Sequence, residues 1–158
     1  MRVATVDTLS QLKAEMQKRI NQSLNGNVRT IVKKCVQDHA QNDVLATYEP
    51  KEYKRRSTLG IDSSRNIVGE VKDNTLTVSD VAQIAPPIVD RYTPSGDPDN
   101  GLPQLIEQGA YNLFHKPEGT PYIEPRPFMT NAKKEVATPG AKAHDDILKA
   151  IKDKFPDN

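Results

Sequence analysis

The chain has 158 residues and a net charge of +1, which suits one domain of ordinary size. Leu, Ile, Val and Phe make up about 22% of it, just above the level of roughly 20% below which disorder becomes the default. No apolar run approaches the roughly 18 residues that a spanning helix needs, so the composition excludes a membrane protein. One cysteine and no apolar signal segment at the N-terminus predict synthesis in a reducing compartment.

Charge is unevenly distributed along the chain. Residues 1–56 carry a net charge of +5, residues 57–130 carry −5 and residues 131–158 carry +1. Oppositely charged parts suit head-to-tail contacts, in which one subunit's basic face meets the next one's acidic face. Two solvated faces explain the same distribution equally well.

The first third of the chain is predicted to be helical, because none of the 12 prolines precedes Pro50. Apolar residues recur at steps of three and four over residues 9–24 and again over residues 28–48. The polar pair at residues 25–26 interrupts this pattern. Two helices, or one bent helix, are therefore expected over residues 8–48.

The middle of the chain is predicted to hold a hairpin followed by proline-rich connections. Residues 66–81 contain apolar and Thr-rich runs on either side of Asp73 and Asn74, a pattern typical of two strands with a tight turn. Prolines limit residues 84–89 to a sheet edge or a connector, and residues 92–103 are expected to be a loop.

A rigid extended segment is predicted at residues 125–129, Pro-Arg-Pro-Phe-Met, which we call the strap. Each proline fixes its own φ and keeps the residue before it extended. Phe128 is expected to fix the strap to the core or to a neighbouring subunit. The strap should lead into a short helix that ends near Val136, and a last helix should start at Thr138 and end before Pro156.

The predicted fold class is α+β, with helices at both ends and a small antiparallel sheet with long loops between them. We expect a single domain over residues 1–158. It would consist of a helical arm at 8–48, a β-rich core at 53–129 and a C-terminal helical segment at 130–158.

Residues with metal-binding or catalytic chemistry are few. Cys35 and His39 lie four residues apart on one predicted helix face, but two ligands do not make a site. The loop at residues 97–101 lacks the spacing of a calcium loop, and no glycine-rich phosphate loop occurs. The sequence therefore predicts no catalytic residue, no metal site and no cofactor.

A basic run precedes the predicted hairpin and allows two interpretations. It could bind phosphates, with Tyr53 as a stacking partner, or it could form an exposed turn or a contact between subunits. The run comprises Lys51, Lys54, Arg55 and Arg56.

Three segments in this order resemble the tail-completion family of long-tailed bacteriophages, the group related to minor tail protein Z. They are Tyr53–Leu59 (Tyr-Lys-Arg-Arg-Ser-Thr-Leu), Ile106–Gly109 (Ile-Glu-Gln-Gly) and the strap. Family members tend to carry Arg-Thr-Gly where this chain has Arg-Ser-Thr at residues 56–58. The loop at residues 90–101 is also longer than the family pattern.

The resemblance implies a structural virion protein without enzymatic activity, made in the bacterial host cytoplasm and placed in the phage neck or tail. It would form a homo-oligomeric ring of six subunits that joins the tail to the head and contacts the adjacent neck and tail proteins. Non-specific contact with DNA in the lumen is also implied. The residues expected at subunit or partner interfaces are Tyr53, Arg55, Arg56, Leu59, Glu107, Gly109, Pro125, Arg126, Pro127 and Phe128.

Other functions remain open at this point. A tail terminator or another neck ring protein would have the same composition. A non-specific nucleic-acid binding module would use the basic run, and its DNA affinity would fall steeply with salt. An enzyme is the third alternative.

Overall fold

The computed structural model describes residues 8–47, 60–82, 102–111, 121–123 and 125–155, and it has the predicted α+β class. Its helices are α1 (Leu9–Ser23), α2 (Arg29–His39), α3 (Leu102–Gln108), α4 (Phe128–Ala137) and α5 (Lys142–Lys152). Its strands are β1 (Ile67–Lys72), β2 (Thr75–Asp80), β3 (Ala110–Tyr111) and β4 (Pro121–Ile123).

The prediction of two helices or one bent helix over residues 8–48 is confirmed for Leu9–Leu45. Thr8 and Gln11 form a reciprocal capping box at the start of α1. A kink at Leu24–Val28 joins α1 to α2, and Gly26 within it has non-helical angles, φ −100° and ψ −116°. A π-helical turn at Ala40–Leu45 follows α2, so the helical arm ends at Leu45.

The hairpin is confirmed as well. Strands β1 and β2 pair antiparallel, from Ile67 opposite Asp80 to Lys72 opposite Thr75. Between them, Asp73 and Asn74 have φ of 48° and 60°. Two consecutive left-handed residues form the turn whose twist matches that of the strands, and Asp and Asn tolerate this conformation better than most residues.

The middle of the chain corrects one prediction. Helix α3 begins at Leu102, inside the segment 92–103 that was expected to be a loop. Pro103 lies in its first turn, where proline costs no helical hydrogen bond. Strands β3 and β4 pair antiparallel with an irregularity between Ala110 and Tyr111. Residues 92–101 of the expected loop and the segment 84–89 lie outside the described residues.

The two C-terminal helices are present as predicted, but their first residues differ from the predicted ones. Helix α4 follows the prolines of the strap, as predicted, but it begins at Phe128, so Phe128 and Met129 are helical and not extended. Helix α5 begins at Lys142 and not at Thr138, because residues 138–141 form a turn closed by a hydrogen bond from Ala141 N to Thr138 O of 3.1 Å. Gly140 supplies the positive φ of 83° that this turn uses.

The hydrophobic core surrounds α2, which packs against the hairpin, α4 and α5. Phe128 and Ala40 are fully buried and Ile67 is 1% exposed. The buried cluster comprises Cys35, Val36, Ala40, Val44, Ile61, Ile67, Ala82, Phe128, Ala132 and Ala143. Within the described residues, no helix is both long enough and apolar enough to cross a membrane.

Candidate functional site

The predicted interface residues divide into two groups. Tyr53, Arg55, Arg56 and Leu59 lie outside the described residues, as do Lys51 and Lys54. The other six, Glu107, Gly109, Pro125, Arg126, Pro127 and Phe128, lie at the end of α3 and on the strap, two segments that hydrogen bonds join to each other.

Glu107 closes the start of α4 from another helix. Its Oε2 accepts the Met129 N–H at 2.9 Å and its Oε1 accepts the Thr130 N–H at 2.9 Å. The first backbone N–H groups of a helix have no partner within it, and a negative charge is favoured there. Because Pro127 at the N-cap position has no side-chain cap, Glu107 is the residue that satisfies these donors.

The strap turns sharply into α4 and is anchored at its far end. Pro127 has φ −79° and ψ 58°, and the Phe128 N–H donates to Arg126 O at 2.8 Å, which is an inverse γ-turn. Phe128 is fully buried, so the prediction that it fixes the strap to the core is confirmed. At the end of α3, Gly109 has φ 76°, which lets the chain leave the helix toward β3.

Arg126 ties the strap to two other elements. Its backbone N–H donates to Ile106 O at 2.8 Å, and its Nη1 donates to Val44 O at 3.3 Å at the end of the helical arm. Both bonds lie within the subunit. Glu107 and Arg126 therefore have folding roles that the interface prediction did not include, and their place at a subunit contact stays a prediction.

A second cluster of polar residues lies between α2 and α4. The ligand-type atoms of Cys35, His39 and Glu135 are all within 4.8 Å of one another. His39 Nε2 is 3.0 Å from Glu135 Oε2, while Cys35 is buried and its thiol faces Ala132 O at 3.8 Å. The expectation of no metal site depended on having two ligands, and the fold supplies a third.

The acidic and buried surroundings of Cys35 keep its thiol protonated. Burial, and after it the charge of the Glu135 carboxylate, raises the pKa of the Cys35 thiol to about 12. A thiol of this kind is a poor nucleophile at neutral pH, because the reactive form is the thiolate. In the absence of a cation, Cys35 is a small core residue.

Further hydrogen bonds hold the ring and the carboxylate of this cluster in place. His39 Nδ1 lies 2.8 Å from Asp43 Oδ2, which also accepts the Asn131 Nδ2–H at 2.9 Å. Glu135 Oε1 accepts the Ala143 N–H at 3.1 Å in the first turn of α5. Three helices thus fix the orientation of the His39 ring and of Glu135.

The third notable surface is the apolar stripe of α1, which we define as Leu9, Leu12 and Met16. Their side chains are 83%, 44% and 47% exposed. Toward its C-terminal end the helix is held by Arg19, which lies 5.9 Å from the ring of Phe155 and donates to Lys154 O at 3.3 Å. The first two turns of α1 thus offer apolar side chains to solvent.

Two of the residues named above carry no local sequence signal. Glu135 is 100 positions from Cys35 and 96 from His39, so no motif spacing connects them. Glu107 was noted as part of Ile-Glu-Gln-Gly, but its role as a cap depends on α3 lying beside the strap. A helix that begins at Phe128 with no Ser, Thr, Asp or Asn before it is the one hint that its cap comes from elsewhere.

Two comparisons with known proteins bear on these sites. A family model described as YomN matches residues 8–155, which span every described element. A curated protein of Bacillus subtilis (strain 168), named "SPbeta prophage-derived uncharacterized protein YomN", is 28% identical over 127 residues, covering 78% of this chain and 79% of the relative. No solved structure matches the chain.

The chain belongs to the YomN family. The prophage-derived relative supports a bacteriophage origin for this family and so agrees with the coarse part of the sequence prediction. These names do not specify a role in tail completion or a relation to minor tail protein Z, so both stay predictions.

Proposed function

We propose that this YomN-family protein is a structural component of a phage particle, which forms the tail-completion or head–tail joining ring at the head-proximal end of the tail. The proposal assigns it no enzymatic reaction. Its support is the family's link to a prophage, the ordered resemblance of residues 53–129 to tail-completion proteins, and one structural observation.

That observation is the apolar stripe of α1. Leu12 and Met16 are about half exposed and Leu9 is mostly exposed, and the three residues lie on one face of α1. Burying such a side chain contributes about 1.5–3 kcal/mol, so a neighbouring subunit that covers the stripe gains stability. In a ring, the basic helical arm of one subunit would meet the acidic middle of the next one.

The size of the stripe also suits assembly that needs a template. Three side chains offer far less apolar area than the roughly 1,200–2,000 Å² of a stable interface. We therefore expect the isolated chain to be monomeric or weakly associated at micromolar concentration, and to form a ring at the end of a finished tail. Light scattering behind size exclusion measures this, and a stable large oligomer without tails would contradict templating.

Complementation of a phage that lacks this gene tests the role itself. Leu12→Ser and Met16→Ser together should leave the monomer folded, yet reduce infectious yield at least tenfold and leave unjoined heads and tails in electron micrographs. Leu148→Ser is the matched control, because Leu148 is 43% exposed against 44% for Leu12 but lies on α5. Normal yield from the stripe variant would remove the observation that carries the proposal.

The same micrographs separate the alternatives. Loss of a tail terminator gives tails of abnormal length, whereas loss of a completion protein gives tails of normal length that do not join heads. Joined and filled particles from a phage without the gene would contradict any neck role. The nucleic-acid alternative rests on the basic run at residues 51–56, outside the described residues.

A further inference from the structure

His39 lies between two carboxylates, one at each ring nitrogen. Its Nδ1 is 2.8 Å from Asp43 Oδ2 and its Nε2 is 3.0 Å from Glu135 Oε2. A neutral imidazole has one N–H, so one of the two contacts then places a nitrogen lone pair against a carboxylate oxygen. Such a contact is favourable only if a second proton or a metal ion lies there.

Cys35 makes the metal ion the better of these two solutions. A second proton on the ring would satisfy both carboxylates without involving the sulfur. The sulfur nevertheless lies within 4.8 Å of a ring nitrogen of His39 and of a carboxylate oxygen of Glu135. One thiol, one imidazole and one carboxylate are ligand types that Zn²⁺ binds at about 2.0–2.3 Å.

We propose that Cys35, His39 and Glu135 bind one Zn²⁺ ion, with a water molecule as the fourth ligand. Two ligands at about 2.0–2.3 Å from one ion and at a tetrahedral angle lie about 3.3–3.8 Å apart. The atoms of this cluster therefore need to move by about 1 Å or less. The side chains of His39 and Glu135 are 22% and 32% exposed, which leaves a path from solvent for the ion and its water.

The surroundings of the three ligands are those of a metal site. The ligand histidine of a zinc site usually donates its other ring N–H to a carboxylate, which fixes the tautomer, and Asp43 is placed to accept that hydrogen from Nδ1. Asn131 in turn orients Asp43, and the Ala143 N–H occupies Glu135 Oε1 and leaves Oε2 for the ion.

Binding exchanges protons for the ion without any redox change. The Cys35 S–H bond breaks as the S–Zn bond forms, and its proton passes to water. A ring that carries two protons releases one more. The bound ion would join α2 to α4 and, through the other oxygen of Glu135, to the start of α5. This role is separate from the assembly role, and either can be false without the other.

Cobalt substitution of the full-length chain, after removal of metal by a chelator and dialysis, tests the site. Co²⁺ at neutral pH should give a near-ultraviolet thiolate-to-cobalt charge-transfer band and intense visible bands of a tetrahedral ion, at one ion per chain. Equimolar Zn²⁺ should abolish both and raise the melting temperature. The charge-transfer band reports the sulfur ligand directly.

Matched variants assign the ligands. Cys35→Ser should abolish the charge-transfer band, and His39→Gln should weaken zinc binding at least 100-fold. His144→Gln, which changes a histidine of equal side-chain exposure, 22%, beside Asp145, should bind as the wild type does. Asp43→Asn, which leaves all three ligands in place, should weaken zinc binding about 10–100-fold.

Several results would overturn the proposal. A wild-type chain with no cobalt charge-transfer band and no rise in melting temperature with zinc would show that the three side chains bind no metal ion. Equal zinc affinity in the wild type and His39→Gln places the ion elsewhere. If circular dichroism shows that Cys35→Ser does not fold, the wild-type cobalt spectrum and the zinc affinity of Asp43→Asn still test whether the cluster binds the ion.

Discussion

Helices α1 and α2 carry the same kind of apolar stripe and have opposite surroundings. On α2, Val36 and Cys35 are 3% and 6% exposed, whereas on α1 Leu12 and Met16 are about half exposed. The hairpin, α4 and α5 all pack on α2, while α1 contacts α5 near its C-terminal end. A period of 3.6 residues therefore predicts a helix and its apolar face, but not whether the subunit itself covers that face.

The comparison of the two helices also separates residues that stabilise the monomer from residues that are exposed at its surface. The residues that hold the core together lie on α2 and its neighbours. The stripe of α1 is largely exposed in the monomer and therefore contributes less to its stability. Four substitutions, from the largest expected effect to the smallest, test this separation.

Phe128→Ala should destabilise the monomer by about 3–5 kcal/mol, because it removes a fully buried ring from the core beside α2. Urea denaturation followed by circular dichroism measures the free energy of unfolding. Phe128→Leu is the control and should cost clearly less. A loss below 1 kcal/mol for the alanine variant would mean that the strap does not anchor the core.

Glu107→Ala should cost about 1–2 kcal/mol, since two N–H groups at the start of α4 lose their acceptor. The same denaturation experiment applies. Glu107→Gln keeps an acceptor oxygen and should cost less, and Glu70→Ala on the exposed side of β1 should cost almost nothing. Equal stability of Glu107→Ala and the wild type would contradict the capping role and favour a purely intermolecular one.

Asp80→Asn should change how stability depends on pH. Burial raises the pKa of Asp80 from 3.8 to about 6, and one of its oxygens, Oδ2, is buried without a hydrogen-bond partner. Because the folded state holds this proton more tightly, the group's contribution is greatest below pH 3.8 and is lost as the pH rises through about 6. The wild type should therefore lose about 1 kcal/mol more than the variant between pH 4 and pH 7, after allowance for solvent screening.

Urea unfolding curves at several pH values measure how the free energy of unfolding of each protein changes with pH. The difference between two pH values cancels any constant effect of the new amide, which still offers an oxygen to the Ala82 N–H. Parallel curves for wild type and Asp80→Asn over this range would show that Asp80 ionises normally.

Leu12→Ala should change the monomer's stability by about 0.5 kcal/mol or less, because its side chain is already 44% exposed. Val36→Ala on α2 is the matched comparison and should cost several times more. Thermal melts of both variants sharpen the contrast between the two helices. A large loss for Leu12→Ala would show that the subunit itself covers the stripe.

Elements whose cause is local could be predicted from the sequence. The turn at Asp73 and Asn74 follows from two residues that tolerate positive φ between alternating strands. The strap follows from two prolines, and its anchor follows from the large apolar residue beside them. The capping box at Thr8 is another such case.

Features that depend on tertiary packing could not be predicted. Helix α5 starts at Lys142 because Gly140 completes a turn, although Thr138 followed by proline is a good local start signal. Glu107 and Glu135 gain their partners only when α3 and α4 are in place. In the candidate metal cluster, the sequence showed the pair on α2 and could not show the ligand that α4 brings.

The kink at Gly26 has a geometric consequence for the arm beyond it. Helix α1 has 15 residues and is therefore about 22 Å long, so a change of 10° at the kink would move Leu9 by about 4 Å. That distance is nearly the width of a side chain. The angle at Gly26 thus determines where the stripe lies relative to the core, independently of the stripe's own residues.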